Sequence, residues 1–130
     1  MDTKGKRIIL GSNSPRRREL LAGLDIYFIV DTGNDFEETY DPSTPHEMIP
    51  EILSEGKSYG FHRALETEEI LITSDTLVLC GDKVMGKPHS REEAFDMLKL
   101  LSGREHKVIT AITLRDINRT ITTSDTAVVY

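Results

Sequence analysis

The segment Ser12-Asn13-Ser14-Pro15-Arg16-Arg17 combines two hydroxyl residues, a proline and adjacent arginines directly after a short apolar run. Pro15 suits the first position of a helix. Free backbone N–H groups at a helix start favour phosphate or another anion, and arginine recognises phosphate bidentately. Two other helix starts, Thr44-Pro45-His46-Glu47 and Ser90-Arg91-Glu92-Glu93, have the hydroxyl-to-glutamate spacing of a capping box. Their acidic residues match the helix dipole, whereas Arg16, Arg17 and Arg18 oppose it by roughly 0.3–1 kcal/mol each. Either a bound anion compensates these arginines, or they are solvated or paired with Glu19 and the acidic 31–41 segment.

Asp75 lies inside the apolar run Ile72-Thr73-Ser74-Asp75-Thr76-Leu77-Val78. A carboxylate at a strand end there either holds a divalent metal or activates water, or is a paired turn residue. Lys57 follows Ile49 and Leu53 at helical spacing, on the apolar stripe of its helix. It either snorkels or serves a ligand. Gly56 and Gly60 flank it, and each costs a helix about 1 kcal/mol relative to alanine, so close packing or a ligand is expected there. Gly81 to Lys87 imitates a P-loop, but Pro88 replaces the hydroxyl that the motif needs. Lys87 is left as a charge between Gly86 and Pro88, solvated or functional. The four histidines and Cys80 lack zinc spacing. Thr73-Ser74-Asp75-Thr76 recurs at 123–126; chance explains so common a composition, and Asp125 is a weak candidate.

These residues need a scaffold. Strands are expected at Arg7–Leu10, Ile26–Val30, Ile70–Thr73 and Thr76–Cys80, with a return at Val84-Met85. Helices are expected from Pro15 to about Leu24, from Thr44 as a long helix ahead of a break at Glu66–Glu69, and from Ser90 to Leu101. Leu20, Leu21 and Leu24 share one helix face, and so do Ala94, Leu98 and Leu101. Residues 31–44 read as a loop, and His106–Leu114 with Arg119–Tyr130 as a hairpin. This is an α/β chain with a mixed sheet. Its 130 residues make one domain, or part of one.

The net charge of −6 excludes a broadly basic nucleic-acid or membrane-surface binder. An anion would need a local basic pocket. A single cysteine rules out an intrachain disulfide and fits a reducing cytoplasm. No stretch matches a membrane span or a signal peptide.

The segment Ser12 to Arg17, with Glu19-Leu20-Leu21, resembles the S-x-S-P-R-R-x-x-L-L signature of the Maf nucleotide pyrophosphatases. Ser74-Asp75-Thr76 is similar to the family's A-D-T, and Gly86-Lys87-Pro88 to its G-K-P. The run from Ala94 through Leu98 to His106 matches M-L-x-x-L-S-G-x-x-H. Leu53 to Lys57 is similar to L-A-x-E-K, and Phe36-Glu37-Glu38 to an acidic D-E pair. The resemblance covers nearly the whole chain.

It implies a mixed twisted sheet flanked by helices, with a cleft between two lobes. It also implies hydrolysis of a nucleoside triphosphate between the α and β phosphates, with a divalent metal (Mg²⁺ or Mn²⁺). Asp75 would accept the proton of the attacking water. Ser12, Arg16, Arg17, Lys57 and Lys87 would hold the triphosphate, and Glu38 with Asp75 would serve metal or water. Arg16 and Thr76 match the dTTP/UTP type rather than the 7-methyl-GTP type. A homodimer and a role in septum formation are further family-level expectations; the absence of a nucleic-acid partner is expected from the acidic net charge and the lack of an aromatic-basic stripe. A non-catalytic nucleotide-binding protein acting in division control is the alternative.

Gly56 and Ser58 stand where the family has Glu and Ala. Members also continue about sixty residues past the position of Tyr130, through a segment with a Y-G-I-Q-G motif whose glutamine helps set base specificity.

Overall fold

A computed structural model describes residues 5–12, 15–37, 39–80, 83–85, 90–101 and 105–129, with only the backbone of Arg16, Lys83, Met85, Met97, Leu98, Leu100 and Leu101. Six strands form one mixed sheet: β1 (Arg7–Leu10), β2 (Phe28–Val30), β3 (Glu69–Cys80), β4 (Lys83–Met85), β5 (His106–Arg115) and β6 (Thr120–Val129). The helices are α1 (Pro15–Gly23), α2 (Ile49–Tyr59) and α3 (Arg91–Leu101). The order across the sheet is β2-β1-β3-β5-β6. β1 runs parallel to β2 and β3, while β4 and β5 run antiparallel to β3. The hairpin β5–β6 pairs His106 with Val129 through Arg115 with Thr120.

β3 differs from its sequence expectation. Ser74 and Asp75 do not interrupt it; one strand of 12 residues runs through them. The reason is cross-strand support: β5 pairs with β3 continuously from Leu71 to Leu79, with Asp75 opposite Ala111. The turn reading of Asp75 is therefore replaced by a mid-strand position. The expected capping box at Thr44 also does not form. A 3-10 turn (His46–Met48) precedes α2, and neither start has a side-chain cap. Pro50 at the head of α2 lacks the N–H that a cap would satisfy. At α3 the cap does form, with the Glu93 N–H donating to Ser90 Oγ at 3.1 Å.

Alternation along β3 sends odd-numbered residues to one face and even-numbered residues to the other. α2 covers the odd face. Its Ile49 and Leu53 pack with Leu77, Leu79 and Ile109, and Phe36 and Val84 close the cluster. A smaller cluster of Ile9, Phe61 and Leu71 lies nearer the start of β3. α1 belongs to the even face and covers it only partly. Leu20 and Leu24 remain half exposed or more, and a groove of about 640 Å³ lies between Leu20, Leu21, Ile72, Val108 and Ile112.

The start of β3 is anchored by charge. Arg63 donates to both carboxylate oxygens of Glu69 at 2.6 and 2.7 Å, and the Glu66 N–H adds a third bond at 2.8 Å. The hydrogen bonds from Arg63 outweigh burial and hold the Glu69 carboxyl down at about 2. Its folded value lies below its unfolded value. The stabilisation is thus complete above about pH 4.5 and is lost as pH falls toward about 2. In thermal unfolding at stepped pH, the melting temperature should fall across this window, and Glu69→Gln should flatten that part of the fall. An unchanged pH profile in Glu69→Gln would remove Glu69 as its source.

Candidate functional site

β5 occupies one edge of β3 from Leu71 to Leu79. β1 and β4 therefore share the other edge. β1 reaches only Ile72, and β4 begins only at Val78. Among the described residues, 73–77 have no strand partner on that edge. The candidate site is built around this break.

The last backbone bond of β1 to β3 is Gly11 N–H to Ile72 O, at 2.8 Å. A Cβ on Gly11 would lie 3.1 Å from Thr73 Cγ2, so glycine permits the close approach. The chain then leaves the sheet beside the break and enters α1 at Pro15. Arg17 turns back from the first turn of α1. Its Nη1 donates to Ser12 Oγ at 3.3 Å and its Nη2 to Thr76 Oγ1 at 2.9 Å. Partial burial lowers the Arg17 pKa, opposed by the nearby Asp75 charge. A guanidinium remains charged under such a shift. It is a partly desolvated cation at the positive end of a helix, a setting that an anion stabilises.

Lys57 approaches from the other face. Ile49, Leu53 and Lys57 are spaced by four along α2, so all three face the sheet. Lys57 Nζ donates to Asp75 Oδ1 at 2.9 Å and lies 3.4 Å from Ser74 O. The two side chains are 26% and 14% exposed. The ammonium thus points inward to a carboxylate instead of snorkelling to water. Among the described residues, Asp75 Oδ2 carries no hydrogen bond.

Ser12, Arg17, Lys57, Asp75 and Thr76 are therefore gathered at one break in the sheet. The Arg16 backbone lies in the same turn of α1 as Arg17. Its side chain, Lys87 and Glu38 lie outside the described residues. Asp125 stands two strands away, in register with Thr110 and, beyond it, Thr76. Among the described residues, no three His, Cys, Asp or Glu side chains cluster closely enough to hold a metal.

Gly56 in α2 and Gly60 at its C-cap have a packing explanation. A Cβ on Gly56 would fall 2.2 Å from Phe36 Cζ, and one on Gly60 would fall 2.6 Å from Asn34 Oδ1. The 34–36 segment thus lies directly on the helix. Asn34 Nδ2 donates to the Lys57 carbonyl at 2.6 Å, and the Asp35 N–H to Gly60 O at 2.9 Å. Gly56→Ala should push the Phe36 ring out of the core cluster and cost about 1–3 kcal/mol in denaturant unfolding. A variant as stable as the parent would show that the ring relocates freely. Reading the sequence missed Asn34 as a grip on α2; Gly56 and Gly60, four apart, were the available signal.

Fold and site together define an α/β protein with a mixed sheet, carrying a basic helix start beside a half-buried lysine–carboxylate pair. The chain belongs to the Maf family: the model described as Maf-like protein matches residues 7–130. A dTTP/UTP pyrophosphatase of Parabacteroides distasonis is 46% identical over 109 residues, covering 84% of this chain and 56% of that protein. The dTTP/UTP pyrophosphatase of Bacteroides thetaiotaomicron is 44% identical over 108 residues, covering 83% and 56%. The chain thus spans little more than half the length of these curated relatives. Among solved structures, the Staphylococcus aureus Ham1 protein superposes with a TM-score of 0.58 at 17% identity, covering 95% of this chain and 70% of that one. A HAM1 protein from Coxiella burnetii gives 0.52 at 16% identity. These two likenesses concern the fold alone.

Proposed function

We propose that the protein hydrolyses nucleoside triphosphates, dTTP and UTP foremost, to the monophosphate and pyrophosphate. The observation that carries this reading is the Lys57–Asp75 pair set across the sheet break from Arg17. A site that only bound anions would gain nothing from a carboxylate there, which counts against a purely nucleotide-binding role in division control. The relatives' names, dTTP/UTP pyrophosphatase, support the substrate class.

The triphosphate lies over the start of α1, held by Ser12, Arg16 and Arg17, with Lys57 and Lys87 on the opposite side. The groove beside Arg17 and Thr76 has about 640 Å³, within the size range of small-ligand pockets, and would take the nucleoside. Arg16 and Thr76 set the preference for the pyrimidine. Water attacks the α-phosphorus, the bond from that phosphorus to the bridging oxygen breaks, and pyrophosphate leaves. Asp75 Oδ2 accepts the proton from the water while Lys57 fixes Oδ1. The arginines and lysines neutralise charge as it moves to the leaving group.

A divalent cation would polarise the phosphoryl oxygens. One described carboxylate, Asp75, is consistent with Mg²⁺, which is commonly held by one or two carboxylates together with substrate phosphates and water; Glu38 would be the second. The reading includes a cytoplasmic, homodimeric protein without nucleic-acid partners. No helix among the described residues is long and apolar enough to cross a membrane.

The test is pyrophosphate release from canonical and modified triphosphates with Mg²⁺ or Mn²⁺. Turnover of dTTP and UTP well above that of purine triphosphates is expected. Binding without turnover of any of them would overturn the proposal in favour of the non-catalytic role.

A further inference from the structure

Polar side chains are fully buried where α2 crosses the sheet, beside the apolar cluster of Ile49, Leu53, Leu77, Leu79 and Ile109. Ser54, Ser58, Thr73 and Thr113 are all 0% exposed. Thr73 Oγ1 donates to Ser54 O at 2.9 Å, and Ser54 Oγ lies 3.2 Å from Thr73 O and 2.8 Å from Thr113 Oγ1. Thr113 Oγ1 lies 3.0 Å from Thr122 Oγ1. Each hydroxyl has one proton to give, so one direction satisfies every bond. Thr122 donates to Thr113, Thr113 to Ser54, Ser54 to Thr73 O, and Thr73 to Ser54 O. One turn further along α2, Arg115 Nε donates to Ser58 Oγ at 2.8 Å and Nη2 to Ser58 O at 2.6 Å.

The spacing is in step. Four residues of helix advance about 6 Å, and two residues of strand advance about 6.6 Å. Ser54 and Ser58 on α2 therefore meet Thr113 and Arg115 on β5 together, and a slide of either element breaks both contacts. Apolar contacts such as Leu53 on Leu77 have no such directionality. Lys57 lies between the two serines. Helical side chains lean toward the helix N-terminus, so Lys57 reaches back over the Ser54–Thr73 contact to Asp75, two residues beyond Thr73 on the same face of β3.

We infer that Ser54, Thr73 and Thr113, with Ser58 and Arg115, are positioning residues that index α2 on the sheet so that Lys57 meets Asp75. The inference rests on the proposed hydrolytic role of that pair. Buried, fully satisfied polar networks specify one arrangement where apolar packing tolerates several. Near a reacting centre, a misplacement of about 1 Å can cost on the order of 100-fold in rate.

Thr113→Val removes the hydroxyl and keeps the branched shape, while Thr113→Ser keeps the hydroxyl. With the intact protein below its melting temperature, Thr113→Val should lower kcat/KM for dTTP about 10-fold or more, and Thr113→Ser less than about 2-fold. In a Lys57→Ala background, whose residual activity is the reference, Thr113→Val should change kcat/KM by less than about 2-fold, because the residue it positions is gone. Equal losses with and without Lys57, or a lowered melting temperature with activity intact, would overturn the inference and leave the network a stabilising role. The ¹H–¹⁵N correlation of the Lys57 ammonium provides a readout that needs no turnover. It should shift or broaden in Thr113→Val and hold in Thr113→Ser; an unchanged signal in both would overturn the inference. A parent protein without turnover overturns the proposed function, and the ammonium signal still decides the positioning.

Discussion

Replacing Asp75 by asparagine should lower pyrophosphate release about 1,000-fold while leaving the protein folded. The amide keeps the size and planarity of the carboxylate, but it cannot accept a proton from water at neutral pH. Loss of a positioned general base typically costs 100- to 10,000-fold. The partner, Lys57, is 26% exposed, so its ammonium regains water when the charge opposite disappears. The expected stability cost is accordingly about 1 kcal/mol, closer to a surface pair than to a buried one. Triphosphate affinity should hold or rise, since a negative charge beside the phosphates has been removed. Turnover within a few-fold of the parent would eliminate Asp75 as the base. A collapse of both stability and activity would assign it a structural role instead.

Arg17→Ala should separate function from stability more sharply still. The side chain donates to two hydroxyls, Ser12 Oγ and Thr76 Oγ1, and it sits at the end of α1 where the dipole disfavours a cation. Its removal should change unfolding free energy by no more than about 0.5 kcal/mol. Use of dTTP, by contrast, should fall about 100-fold or more in kcat/KM, because a partly desolvated guanidinium is a strong and planar phosphate partner. Arg17→Lys should recover only part of that loss, since an ammonium cannot span two oxygens in the same fork. The same measurement on Arg16→Ala extends the test to the neighbouring arginine. Activity equal to the parent in Arg17→Ala would return these arginines to solvated surface charge. Loss of stability without loss of activity would make Arg17 a tie between α1 and β3.

Both predictions concern residues legible in the chain itself, and the reasons differ. Arg17 was conspicuous because three helix starts could be compared and one carried the wrong charge for its dipole. That comparison is local, so sequence was sufficient for it. Lys57 was conspicuous because it continued the stripe of Ile49 and Leu53. Periodicity showed which way it faced, but not whether a carboxylate or water met it. The pairing with Asp75 spans 18 residues of sequence and depends on how α2 lies on β3. For Asp75 the local pattern leaves a functional carboxylate and a paired turn residue both open, and continuous pairing of β3 with β5 removes the turn.

The amino-acid sequence by itself determined the α/β class, most strands and helices, the basic start of α1 and the inward face of Lys57. These follow from periods, caps and charges within a few residues of one another. Only the tertiary structure decided that, among the described residues, β1 and β4 leave a break along one edge of β3, and that Phe36 lies on Gly56. It also decided that Ser54 and Ser58 meet Thr73, Thr113 and Arg115 of the sheet. Each of these depends on contacts between distant segments, which backbone hydrogen bonding and close packing select jointly and no local pattern encodes.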